Sequence, residues 1–216
     1  MFIPAIINML TEVEEEMDAW AETNEEKESG NTDPYNTGIS AINRLSMDLG
    51  EKTMLPVCSM FIQLAIKNAD WKQRQAGYMV MGLIAECSKD SLMKNMDEAM
   101  KLACAGLIDE HPRVRYAGLS CLALLLTELS PKAQKKYHAE LMPVLMKMMA
   151  AETMLKIQTH AVSATINFAR GLTNEDDEEE DTSNTGVKIM SIYAQTLFEN
   201  LVVLLKKGID SNYEPL

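Results

Sequence analysis

Asp109-Glu110-His111-Pro112-Arg113-Val114-Arg115-Tyr116-Ala117-Gly118 reads as the end of one helix, a tight turn and the opening of the next. Pro112 lacks an N–H and suits a first helical turn, where that donor has no intrahelical acceptor. The same pattern stands earlier in the chain in Asn68-Ala69-Asp70-Trp71-Lys72-Gln73-Arg74-Gln75-Ala76-Gly77. Arg115 falls on Arg74, and Ala117-Gly118 falls on Ala76-Gly77. A third copy begins at Lys156-Ile157-Gln158-Thr159-His160-Ala161, where Lys156 falls on Arg113. Small residues in the first turns of each second helix let a paired first helix approach closely. Gly costs about 1 kcal/mol in a helix interior relative to Ala, so its recurrence implies a packing reason.

A period of about 41 to 43 residues with two helices per unit is the signature of HEAT repeats, in which stacked pairs bury a continuous core. Three- and four-residue apolar spacing predicts helices near 3–21, 38–49, 53–68, 71–88, 91–109, 112–129, 131–150, 153–171 and 186–207. No run reads as a strand pair bounded by hairpin turns. The fold expected is an all-α HEAT-repeat solenoid of about four repeats: a partial repeat over 1–49, repeats over 50–89, 90–130 and 131–172, an acidic loop over 173–185, and a helix of a further repeat over 186–207. The chain is expected to be a fragment that starts inside one repeat and ends inside another.

Composition bounds the chemistry. The 216 residues carry a net charge of −12, much of it in the runs Glu12 to Glu28 and Glu175 to Asp181. Such a surface repels phosphates and complements basic proteins, so nucleic acid is not an expected partner. Cys58, Cys87, Cys104 and Cys121 lie in apolar helical contexts with no C-x-x-C pair, which predicts reduced core thiols and no metal site. No uninterrupted apolar run is long enough to span a bilayer, so no membrane is expected as a partner. His111, His138 and His160 lack ligand or catalytic spacing, and no phosphate loop or nucleophile motif is present. Nothing in the sequence supports an enzyme or a cofactor.

An acidic or amide residue in the turn followed six positions later by Arg or Gln recurs as Asn68 and Arg74, Asp109 and Arg115, and Glu152 and Gln158. The series reads as a structural ladder linking neighbouring turns. Trp71 either stacks on the stem of a bound Lys or Arg or packs at the seam between repeats. The Met-rich stretch 142–154 reads as core, although Met also lines adaptable grooves.

The segments LGEKTMLP (49–56), NADWKQRQAG (68–77), DEHPRVRYAG (109–118), QKKYHAELMP (134–143) and IQTHAVSATINF (157–168), with the acidic EEEMDAWAETNEE (14–26), resemble the middle repeats of the importin-β (karyopherin-β) family, in its importin-5 or karyopherin-β3 branch. The resemblance implies a nuclear import receptor that binds lysine-rich import signals of cargo proteins on its concave face and moves between cytoplasm and nucleus. It implies Ran GTPase and nucleoporins as partners of a full-length receptor, with the main Ran-contacting repeats outside the matched region. It also implies cargo-facing residues at Asn43, Glu86, Glu128 and Asn167, spaced by 43, 42 and 39, with Asn43 standing where an Asp is usual. Spaced acceptors of this kind take an extended basic peptide one Lys at a time. The alternative is a HEAT scaffold that assembles another complex through its ridge loops.

Overall fold

The computed structural model describes residues 2–22, 34–173 and 182–211. Among them every regular element is helical. In order they are α1 (Phe2–Met9), α2 (Met17–Glu22), α3 (Pro34–Leu49), α4 (Glu51–Ala65), α5 (Trp71–Leu83), a 3₁₀ turn (Glu86–Ser88), α6 (Lys89–Lys94), α7 (Met96–Gly106), α8 (Pro112–Glu128), α9 (Lys132–Ala151), α10 (Leu155–Gly171) and α11 (Thr182–Asp210). The chain divides into two compact units, Met1–Leu125 and Leu126–Leu216.

In the first unit α1 packs on α3, and α4 pairs with α5. The small residues act where the repeat predicts. A Cβ on Gly77 of α5 would stand 3.0 Å from Ala65 and Ile66 of α4. A Cβ on Gly118 of α8 would stand 2.8 Å from the backbone carbonyl carbon of Gly106 in α7, so two backbones touch there. In the same unit Met54, Cys58, Val80, Ala103, Val114 and Leu122 are fully buried. Each Val, Leu or Met side chain removed from water in this way stabilises by about 1.5–3 kcal/mol.

The second unit is built on α9 and α10, with α11 laid against both. Leu141, Met142, Leu145, Met149, Ile157 and Phe168 form its interior, which places these methionines in the core. Helix α11 buries Gly186, Ile189, Tyr193, Leu204 and Gly208 along one stripe. Its other side leaves Val187, Ile192, Phe198, Val203 and Ile209 exposed. Over Thr185–Asp210 it is long and apolar enough to cross a membrane by length and composition, because a hydropathy average tolerates the charges that interrupt each apolar run. A helix apolar on two sides is also what a stacked repeat presents to neighbours on both flanks.

Several expected helices differ in extent. The helix expected over 3–21 breaks after Met9, where Leu10, Thr11 and Glu12 donate their N–H groups to carbonyls three residues back. Thr11 Oγ1 adds a bond to the Asn8 carbonyl at 2.7 Å. Glu12, Glu15 and Glu16 would repel one another at i+3 and i+4 spacing on a continuous helix, and the break relieves this. The helix expected over 71–88 stops at Leu83, and the one expected over 91–109 is divided at Asn95. There the Asn95 side chain donates to the Ser91 carbonyl at 2.9 Å, a local bond that competes with the helix. Helix α11 begins at Thr182, inside the loop expected over 173–185, while the charge run Glu175 to Asp181 lies outside the described residues.

Candidate functional site

The repeated turns carry repeated hydrogen bonds. Asn68 Oδ1 accepts the Asp70 N–H at 2.9 Å, and at the equivalent place one repeat later Asp109 Oδ1 accepts the His111 N–H at 2.9 Å. Arg74 Nη1 donates to the carbonyls of Asn68 and Ala69 at 3.1 and 2.9 Å. Arg115 Nη1 donates to the carbonyls of Asp109 and Glu110, each at 3.0 Å. Arg74 then crosses to the next turn: Nε and Nη2 grip the two Asp109 carboxylate oxygens at 2.8 and 2.9 Å. A bidentate pair of this kind fixes orientation as well as distance. In the second unit Gln158 holds the equivalent place, donating Nε2 to the Met149 carbonyl at 2.7 Å and accepting from Lys207 Nζ at 2.7 Å.

The charges respond to these contacts. The hydrogen bond to Asp109 raises the Arg74 guanidinium further above its ordinary range. Burial pushes the Asp109 carboxyl up, but the Arg74 bond, the His111 N–H and nearby positive charge outweigh it and hold the group below its usual value. Burial lowers His111, and Arg113, Arg74 and Arg115 add to the effect against Asp109. The His111 ring stacks flat on Trp71, with ring centroids 4.0 Å apart and planes 8° apart. Burial, with Asp109 near, raises the Tyr78 hydroxyl to about 12.

Trp71 is therefore engaged within the chain: His111 covers one face, and Arg113 stands 6.0 Å from its centroid. Arg113, only 7% exposed, also lies 4.9 Å from the centroid of Trp20. Trp20 is 2% exposed and meets Tyr116 edge-on at 5.4 Å. This cluster joins residues far apart in the chain. Its signal in the sequence is a tryptophan set within an acidic run.

Asn43 is exposed on α3, and α3 packs against the 3₁₀ turn that carries Glu86, itself exposed. Those two residues thus belong to adjoining elements of the first unit. Glu86 follows α5 instead of ending it. In the second unit Glu128 closes α8 and Asn167 sits in the last turns of α10, both half-buried. Among the described residues no three His, Cys, Asp or Glu gather as a metal-ligand set.

Helix pairs with this repeat and these ladder contacts define a HEAT-repeat solenoid. The family model described as an importin repeat matches residues 1–56. Importin subunit beta-3 of Saccharomyces cerevisiae is 26% identical over 202 residues, covering 93% of this chain and 17% of that protein. Importin-4 of Mus musculus is 25% identical over 114 residues, covering 52% of this chain and 10% of its own length. Among solved structures, Kap121p bound to Pho4p superposes with a TM-score of 0.78 at 26% identity, and Kap121p alone with 0.80 at 25%. Each of these covers 94% of this chain and 19% of the Kap121p chain. The chain's homologues are karyopherins of the importin-β family. It spans less than a fifth of the length of the relatives it matches.

Proposed function

We propose that this chain is a segment of a nuclear import receptor that binds basic, lysine-rich protein cargo on the concave face of its repeats. The observation that carries this reading is the spacing of Asn43, Glu86, Glu128 and Asn167, whose offsets of 43, 42 and 39 lie close to the repeat period. Residues so spaced recur about once per repeat, which supports their acting together as acceptors for an extended basic chain. Kap121p supports the reading. It has been solved bound to Pho4p and to Nup53p. It has also been solved as a variant in which three acidic residues, at offsets of 43 and 42, are changed to Lys. Asn43, Glu86 and Glu128 share that spacing.

The mechanism is charge-complementary recognition. A Lys ammonium is a point charge with three donors, and Glu86 and Glu128 supply anionic acceptors while Asn43 and Asn167 supply amide oxygens. The net charge of −12 favours encounter with basic cargo and disfavours nucleic acid. For the longer receptor the reading includes Ran GTPase and nucleoporins as further partners and movement between cytoplasm and nucleus. It includes no catalytic step.

The test is binding of a lysine-rich import-signal peptide to this chain by fluorescence anisotropy, repeated with Glu86→Lys plus Glu128→Lys. Salt-sensitive binding that the double variant loses supports the reading. Binding that survives the double variant moves the site away from these residues. No binding at low salt favours the scaffold alternative for this segment.

A further inference from the structure

Residues 11–22, which follow α1, do more than connect. After Thr11 the chain runs irregularly to Glu16 and re-forms a short helix at α2. That path crosses the starts of α5 and α8, the second helices of two successive repeats. Near its beginning Glu15 pairs with Lys72 of α5. Beside it, one residue earlier, the Glu14 carbonyl accepts from Arg113 Nη1 of α8 at 2.8 Å. Trp20 then closes over Arg113 and Tyr116. One short segment thus touches both repeats at the turns that Arg74 and Asp109 also join.

The attachment is uneven. At one end Trp20 is almost fully buried. At the other an open polar groove of about 640 Å³ lies against the segment and the start of α5, lined among others by Thr11, Val13, Glu15, Pro34, Asp70 and Lys72. Glu12, Glu14, Glu15, Glu16 and Asp18 are all exposed. An element held by an aromatic anchor, a main-chain bond and an exposed ion pair, beside an open polar groove, belongs to the low-stability end of a fold.

We propose that the segment from Thr11 to Glu22 is a detachable clasp that couples the starts of α5 and α8, and that its release loosens the junction between those two repeats while their helices stay formed. In a solenoid each repeat contacts only its neighbours, so the rotation allowed at one junction sets local curvature. A clasp across one junction holds that curvature when closed and frees it when open.

The chain carries its own probe. Its two tryptophans, Trp20 and Trp71, both lie in the clasp cluster. Trp71→Phe retains an aromatic stack on His111 and leaves Trp20 as the single emitter. The experiment is a urea titration of this variant, following Trp20 emission and far-UV ellipticity together, with amide exchange by mass spectrometry at the urea concentration between the two midpoints. The expected result is a red shift of Trp20 emission before helix is lost. Exchange at residues 68–72 and 109–115 then rises by about tenfold or more, and exchange in α9 and α10 stays unchanged. Coincident emission and ellipticity transitions overturn the proposal, because the segment is then part of the cooperative core. Early Trp20 exposure with unchanged exchange at the two turns also overturns it, since the segment is then a passive cover. Glu15→Lys provides a second variant that leaves the interior intact. It is expected to lower the emission midpoint alone, and an equal shift of both midpoints counts against the clasp.

Discussion

Replacing Asp109 with Ala removes the carboxylate through which Arg74 joins two consecutive turns. The Arg74 and Asp109 side chains are 10% and 14% exposed, and two parallel bonds of 2.8 and 2.9 Å hold them. Removing one partner of a buried ion pair costs about 3–5 kcal/mol, because the other charge stays behind unpaired. Residual solvent access and the carbonyls of Asn68 and Ala69, which keep Arg74 partly satisfied, place this site at about 2–3 kcal/mol. Loss of the acceptor for the His111 N–H adds about 1 kcal/mol, the usual net worth of a hydrogen bond. Asp109→Asn keeps that acceptor and one bond to Arg74, so it costs less. Glu110, 87% exposed, also reaches Arg74, at 3.3 Å, but Glu110→Ala changes stability little, as surface pairs do.

The assay is urea denaturation followed by far-UV ellipticity, which reports loss of the helices, with Arg74→Met and the double variant closing a thermodynamic cycle. A coupling of about 1–3 kcal/mol is expected for residues in direct contact. The pH dependence has a definite sign. The folded Asp109 carboxyl lies below its unfolded value, so its contribution is fully present above about pH 4 and is lost as pH falls through the lower folded value. The gap in stability between the parent chain and Asp109→Ala therefore narrows in acid. A coupling near zero, or a gap that persists unchanged in acid, refutes the reasoning.

Gly118→Ala gains about 1 kcal/mol of helix propensity, yet its Cβ would meet the Gly106 backbone at 2.8 Å, where no rotamer change gives relief. Overpacking of about 1–3 kcal/mol wins, and the urea midpoint falls. Gly82→Ala should be milder, because the nearest atom, 2.9 Å away, is the end of the Leu124 side chain. Thiol labelling at neutral pH should separate the cysteines into two rate classes. Cys87 and Cys104, half-buried, react first, while Cys58, whose thiol burial and Cys87 push up to about 11, and fully buried Cys121 react on unfolding. Lys207→Met should leave the buried Gln158 Oε1 without its donor and lower the stability of the second unit by about 1–3 kcal/mol, read from the far-UV melt.

Local rules act through residues near in sequence, and those parts were legible. The recurring turn pattern specified helix pairs, because Pro112, Asp70 and Asn68 act on their own turns. Arg74 and Arg115 reach carbonyls five and six residues back, so their shared role follows from spacing alone. The small residues announced close helix approach, although only the packed structure shows that Gly118 meets backbone where Gly77 meets Ala65 and Ile66. The periodic placement of Asn43, Glu86, Glu128 and Asn167 was equally visible. Their exposure was not, since burial depends on neighbouring helices.

Tertiary structure decided what long-range contact decides. Apolar spacing over 3–21 is as good a helix pattern as any in the chain. It breaks because local charge repulsion offers little to a continuous helix while docking offers Trp20 a buried place against Arg113 and Tyr116. No window of sequence holds both Glu14 and Arg113, which lie 99 residues apart. The two-sided apolar character of α11 was written in its composition. Which side turns inward was settled by the partners that α9 and α10 present, among them His138 for Tyr193 and the Met146 carbonyl for Asn200. Periodicity specifies a helix and its repeat, whereas the free energy of docking, summed over contacts distant in sequence, specifies which face is buried and which segment becomes a strap.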